Sequence, residues 1–187
     1  MNESEKKNAL IICAHGSFDN DYNKDFLTFF SKLKAKVKRE IFYCFIEKSK
    51  PSIQQCIDLV YRDFSSIDFF PLFLFDGYHV SNDIHNKLKI VEKEKKTKIN
   101  LIEKLSLLND VSLIVNEEIK KKLKNDKENI LIVSCSNSSE NKLKVELKKY
   151  VETLCPKIHS KFICFSGDEE SILTNLDKFN RNDINII

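Results

Sequence analysis

The sequence predicts an α/β protein of two related units in tandem, each a parallel sheet flanked by helices. Three observations carry that expectation. Short, continuous apolar runs recur at 9–14, 41–46, 67–75 and 98–103. Stretches with apolar residues at helical spacing separate them. From residue 130 the pattern starts again. Strands alternating with helices favour a parallel sheet covered on both faces.

The elements follow in order. "ALIICA" (9–14) reads as a buried strand, and a helix with Phe26, Phe30, Leu33 and Val37 on one face follows it. "IFYCFI" (41–46) is the second strand. Pro51 suits a first helical turn, where a missing N–H costs nothing, and opens a helix striped by Ile53, Cys56, Ile57, Val60 and Phe64. "IDFFPLFLF" (67–75) is the third strand, and Ile84, Leu88 and Val91 stripe the next helix. "KINLIE" (98–103) is the fourth, before a helix around Val111, Val115 and Ile119.

The restart can be aligned residue by residue. "ILIVSCSNSSEN" (130–141) matches "ALIICAHGSFDN" (9–20) without a gap. A helix with Leu143, Leu147, Val151 and Leu154 comes next, ended by Pro156. "KFICFSGDEESI" (161–172) then echoes "IFYCFIEKSKPSI" (41–53), and "NDINII" (182–187) echoes "SIDFF" (66–70). The expected division is therefore 1–125 and 126–187, the second unit being a truncated copy. Its last strand would have an edge in need of a partner, from the first unit or from a second chain, so a homodimer is allowed but not required.

Composition narrows the class. In 187 residues, 31 Lys and Arg stand against 28 Asp and Glu, a net charge of +3. The lysine runs are scattered, as on solvated helix faces, and no nucleic-acid partner is expected. Six cysteines form no CxxC pair and sit mostly in apolar stretches, as small buried hydrophobes in a reducing compartment do. The charged start "MNESEKK" is no signal peptide, and no segment approaches a membrane span. A cytoplasmic protein without a membrane partner is the expectation.

Only three glycines and four histidines occur, and twice they fall together: His15-Gly16 after the first strand, and Gly77-Tyr78-His79 after the third. Glu47 follows the second strand. His15, Glu47 and His79 are spaced 32 residues apart, one strand–helix period each, which brings all three to the carboxyl edge of one sheet. Ligands bind at that edge in open parallel sheets. Two imidazoles and one carboxylate make a divalent-metal set that leaves coordination positions open. The two glycines would admit a bulky ligand close to the backbone. The alternative, loop histidines that are solvated or capping, remains open on spacing alone. His85 and His159 read as structural or exposed. GxSxG, GxGxxG and P-loop motifs are absent, which argues against a hydrolase elbow or a nucleotide cofactor. The second unit carries Ser136, Asn137 and about Gly167 at the matching positions, so the chemistry belongs to the first.

"AHGSFDN", "FIEKSKPSI" and "PLFLFDGYHVSNDI", in this order and spacing, resemble the sirohydrochlorin cobaltochelatase and ferrochelatase family, the class II tetrapyrrole chelatases. The resemblance covers roughly 9–115 well and the second unit more weakly. It implies a lyase that inserts a divalent metal into sirohydrochlorin without ATP or a tightly bound cofactor. The metal is then substrate: Co²⁺ ahead of Fe²⁺ or Ni²⁺, in cobalamin rather than siroheme synthesis. It implies His15 and His79 as catalytic bases, and His15, Glu47 and His79 as metal ligands. Gly16, Ser17, Phe75, Gly77 and Tyr78 would meet the macrocycle. The chain departs from the family at Phe18 and Ser81, where basic residues are frequent, which leaves the metal set intact but loosens the hold on substrate carboxylates. A metal- or tetrapyrrole-binding protein without turnover, and a regulatory or structural α/β domain whose histidines are incidental, are the other functional classes compatible with these residues.

Overall fold

A computed structural model describes residues 8–75, 84–135, 141–167, 169–180 and 182–187. The chain divides into two compact units, Met1–Leu107 and Leu108–Ile187. In the first, strands β1 (Asn8–Ala14), β2 (Ile41–Phe45), β3 (Ser66–Pro71) and β4 (Lys98–Leu101) form one all-parallel sheet of order β2-β1-β3-β4. Helix α1 (Asn20–Lys36) packs Phe26 and Phe30 on one face, against Ile12, Ala14, Ile41 and Phe45. Helices α2 (Ile53–Val60) and α3 (His85–Lys95) cover the other, where Ile11, Ile67 and Phe69 are fully buried. β1 runs to β2 on one side, and the chain then crosses back to β3 on the other. That reversal makes the β1/β3 boundary the topological switch point of the sheet.

The differences from expectation have local causes. β3 stops at Pro71 instead of running to residue 75, because the chain turns there and the Phe73 N–H donates back to the Pro71 carbonyl at 2.9 Å. β4 stops at Leu101 rather than 103. Pro51 lies before α2, not in its first turn; Ser52 is the N-cap and closes a capping box with Gln55. Phe64 lies beyond α2 but still packs on its core, edge-on to Phe42 with centroids 5.7 Å apart. The described cysteines are all free thiols, and four of the six are buried. Burial, with Cys13 and Cys56 alongside, pushes the Cys44 thiol well up, which keeps it protonated and inert.

One polar cluster ties three strands of this sheet and the loop after α1. Asp68 accepts from Asn8 at 3.0 Å, Arg39 at 2.9 Å and Asn100 at 3.0 Å. Burial alone would raise its carboxyl, but the bonds from Asn100, Arg39 and Asn8 outweigh that and hold it below the usual range. A lowered folded-state value gives stability that is full above the unfolded value of about 3.9 and lost as pH falls through the folded one. Urea midpoints should therefore show wild type ahead of Asp68→Asn at pH 7, with the gap narrowing below pH 4. A constant gap would refute this reading.

The second unit holds helix α4 (Asn109–Lys120) and a parallel sheet of β5 (Glu128–Cys135), β6 (Ser160–Phe165) and β7 (Ile184–Ile186), in the order β6-β5-β7. Helices α5 (Asn141–Thr153) and α6 (Glu169–Leu176) follow β5 and β6. The division lies before α4, not near residue 125. Contacts within the second unit hold α4 there: the Cys155 N–H donates to Asn116 Oδ1 at 2.6 Å, and the Asn185 side chain donates to the Lys122 carbonyl, just past the helix, at 2.9 Å. Of the α4 stripe only Ile119 is buried. The repeat is visible in register: Cys13 pairs with Cys44 in the first sheet, and their counterparts Ser134 and Cys164 pair in the second. Past the strand ends, Ile46 N–H donates to Ala14 O at 3.0 Å, and Ser166 N–H to Cys135 O at 2.9 Å. Among the described residues, no helix is long and apolar enough to cross a membrane.

Candidate metal site

His15 and Glu47 meet at the carboxyl edge of the first sheet because the parallel ladder continues past both strands. After Ile46 bonds to Ala14, the Glu47 N–H donates to the His15 carbonyl at 3.1 Å. Gly16 makes the approach possible. Its φ is +86°, and a Cβ there would lie 2.1 Å from the Glu47 carbonyl oxygen. Any other residue would have to displace backbone. Lys48 adopts φ 61°, which is uncommon without glycine, and the Ser49 N–H closes that turn on the Glu47 carbonyl at 2.7 Å. Such backbone outliers gather where surrounding structure enforces a particular side-chain direction.

The His15 ring is fixed at one nitrogen. Nδ1 lies 3.0 Å from the Gly16 carbonyl, which can only accept, so Nδ1 carries the hydrogen. Nε2 then faces Glu47 Oε1 at 3.5 Å, too long for a good hydrogen bond. Both side chains are 35% exposed. An imidazole nitrogen and a carboxylate oxygen this close together could hold a cation between them. Lys48 Nζ lies 3.2 Å from the same Glu47 oxygen and balances its charge. Phe73, just after β3, sets its ring edge-on to His15 at 6.3 Å between centroids, which places His15 at the β1/β3 switch point.

Among the described residues no three His, Cys, Asp or Glu side chains converge as a metal site. His79, Gly77 and Tyr78 lie outside the described residues, as do Ser136 and Asn137. Phe75 is half-buried beyond β3. Ser17 is tied down on two sides: its N–H and carbonyl bond Asn23 in α1 and Ser49 in the loop after β2, and its hydroxyl accepts from the Asp19 N–H at 3.0 Å. Phe18 is 83% exposed, with Lys48 Nζ 6.0 Å from its ring centroid. His85 and His159 are exposed. Gly167, the counterpart of Glu47, has φ +89° and offers no ligand.

Asn23 and Ser49 are the residues that the sequence did not reveal. Ser49 stands 32 residues after Ser17, the same period that separates His15 from Glu47, and that spacing was the available signal.

Comparison with known proteins bears on the family and the fold. Residues 9–122 match the family model CbiX. Three solved structures share the fold. The sirohydrochlorin chelatase SirB from Bacillus subtilis subspecies spizizenii, in complex with cobalt, has a TM-score of 0.72 at 16% identity, covering 96% of this chain and 86% of that one. SirB from Bacillus subtilis with Fe³⁺ has a TM-score of 0.78 at 18% identity, covering 91% and 71%. A putative cobalamin (vitamin B12) biosynthesis CbiX protein from Marinobacter aquaeolei VT8 has a TM-score of 0.55 at 21% identity, covering 61% and 95%. No curated protein sequence matches. A family model that spans more than half of the chain, including the residues that carry His15 and Glu47, settles membership: this chain belongs to the CbiX family of class II tetrapyrrole chelatases, which are metal-inserting lyases.

Proposed function

We propose that this chain inserts a divalent metal into sirohydrochlorin without ATP or a tightly bound cofactor, at the carboxyl edge of the first sheet. The observation that carries the proposal is the His15–Glu47 pair, an imidazole nitrogen and a carboxylate oxygen 3.5 Å apart with the ring oriented through Nδ1. Insertion exchanges one M²⁺ for two N–H protons of the macrocycle. Glu47 holds the cation and offsets its charge, and His15 Nε2 ligates it or accepts a departing proton. His79 is proposed as the second imidazole from its place in the third motif. Gly16, Phe75, Gly77 and Tyr78 are proposed to line the macrocycle, with Ser17 holding the loop beside them.

Cobalt is the proposed metal, which would place the reaction in cobalamin synthesis. Iron, in siroheme synthesis, is the second reading, supported by the SirB relatives having been solved with cobalt and with Fe³⁺. Both ions accept this N/O set, so rate rather than affinity would separate them. Purified protein incubated anaerobically with sirohydrochlorin and each of Co²⁺, Fe²⁺ and Ni²⁺, followed by absorbance, tests the proposal. Insertion above the uncatalysed rate, fastest with Co²⁺, is expected. Tight binding without acceleration would assign a binding protein instead.

A further inference from the structure

We infer that Asn23 and Ser49 are positioning residues that set the His15–Glu47 pair, by clamping the loop after β1 to the loop after β2. Both side chains serve a single backbone residue, Ser17. Asn23 Nδ2 donates to the Ser17 carbonyl at 2.7 Å, and Asn23 Oδ1 lies 3.3 Å from the Ser17 N–H. Ser49 Oγ lies 3.3 Å from the same N–H, and its hydrogen is placed between the Ser17 carbonyl at 2.9 Å and Asn23 Oδ1 at 3.1 Å. Asn23 sits in the first turn of α1, so the clamp is anchored to a packed helix. Ser17 adjoins Gly16, whose carbonyl fixes the His15 ring, and Ser49 stands two residues after Glu47. Holding Ser17 to Ser49 therefore holds both members of the pair at once.

The repeat separates this role from a general need of the fold. The second unit keeps the strand register and the ladder bond past the strand ends. At the position of Asn23 it has Lys144, whose Nζ lies over the Phe165 ring at 5.2 Å. Its Gly167-Asp168-Glu169 stretch supplies no hydroxyl where Ser49 stands. The framework is built twice, while the Asn and Ser of the clamp stand only in the sequence of the unit that carries His15 and Glu47. Partners that orient a metal ligand are typically worth about 10- to 100-fold in metal affinity or activity.

The inference rests on the chelatase reading, since the pair it positions is the proposed metal-holding pair, so the test has a metal-free readout. Ser49→Ala and Asn23→Leu are compared with wild type and with Ser49→Thr, which keeps the hydroxyl. In metal-free protein, long-range ¹H–¹⁵N spectra should show His15 protonated at Nδ1 in wild type and Ser49→Thr, and losing that preference in the other two. Co²⁺ titration should show affinity weakened on the order of tenfold in Ser49→Ala and Asn23→Leu and largely recovered in Ser49→Thr. Insertion should lose kcat with little change in KM for the tetrapyrrole. Unchanged His15 signals, or loss of folding in both Ser49→Ala and Asn23→Leu, would overturn the inference. If wild type neither binds nor inserts metal while the His15 signals still respond, the chelatase reading fails and the positioning role stands.

Discussion

Replacing His15 by alanine is expected to lower metal insertion by about 10²- to 10⁴-fold, the range associated with loss of a positioned general base. The same change should leave the melting temperature nearly untouched. Its side chain is 35% exposed, lies beyond the end of β1, and fills no part of the two apolar clusters. Loop substitutions of that kind usually stay within about 0.5 kcal/mol. A control comes from His159→Ala, an exposed histidine of the second unit, which should retain activity. Equal losses in both variants would mean that histidine content, not the placement of His15, governs the rate.

Gly16→Ala is expected to damage both fold and site. At φ +86° an L side chain is strained, which costs about 1–3 kcal/mol, and the added Cβ would lie 2.1 Å from the Glu47 carbonyl oxygen. That atom is backbone and cannot rotate aside, so the Glu47 loop must shift. Misplacing a reacting group by about 1 Å can cost on the order of 10²-fold in rate. The variant should melt several degrees lower and insert metal at least tenfold more slowly. Gly167→Ala, also at positive φ (+89°) but with nothing within 4 Å of the new Cβ, should cost stability only, with insertion retained. If Gly16→Ala kept full activity, the close approach of the two loops would be incidental to the chemistry.

What the sequence made legible follows from how much of each element is specified locally. β1 and β2 were readable because "ALIICA" and "IFYCFI" are continuous apolar runs, bounded by polar residues and buried on both faces of the sheet. β3 was overextended because Leu72, Phe73, Leu74 and Phe75 are as apolar as the strand itself. Only the turn after Pro71, made by a Phe73-to-Pro71 backbone bond, marks its end. The unit to which helix α4 belongs is not legible, because its stripe of Val111, Val115 and Ile119 does not say which sheet it joins. Side-chain and backbone bonds to Asn116 and Lys122 decide that, and they span 39 and 63 residues.

The site divides in the same way. His15 and Glu47 could be paired from sequence because one strand–helix period fixes where each β-strand delivers its next residue. The direction of the His15 ring could not, since it depends on the Gly16 carbonyl and a positive φ. Nor could the clamp, in which Asn23 and Ser49 act only through the backbone of Ser17. Polar residues that bond backbone leave no periodic trace, and serine and asparagine in loops are common enough to pass unnoticed.

The count of Co²⁺ ions bound per chain tests most directly the claim that the chemistry lives at the carboxyl edge of the first sheet. Anaerobic titration followed by the visible spectrum should give one ion per chain in wild type and in Ser136→Ala. His15→Ala and Glu47→Ala should each abolish that site while remaining folded. Two ions per chain, or a single ion that survives in His15→Ala and disappears in Ser136→Ala, would contradict the account and move the metal to the second unit.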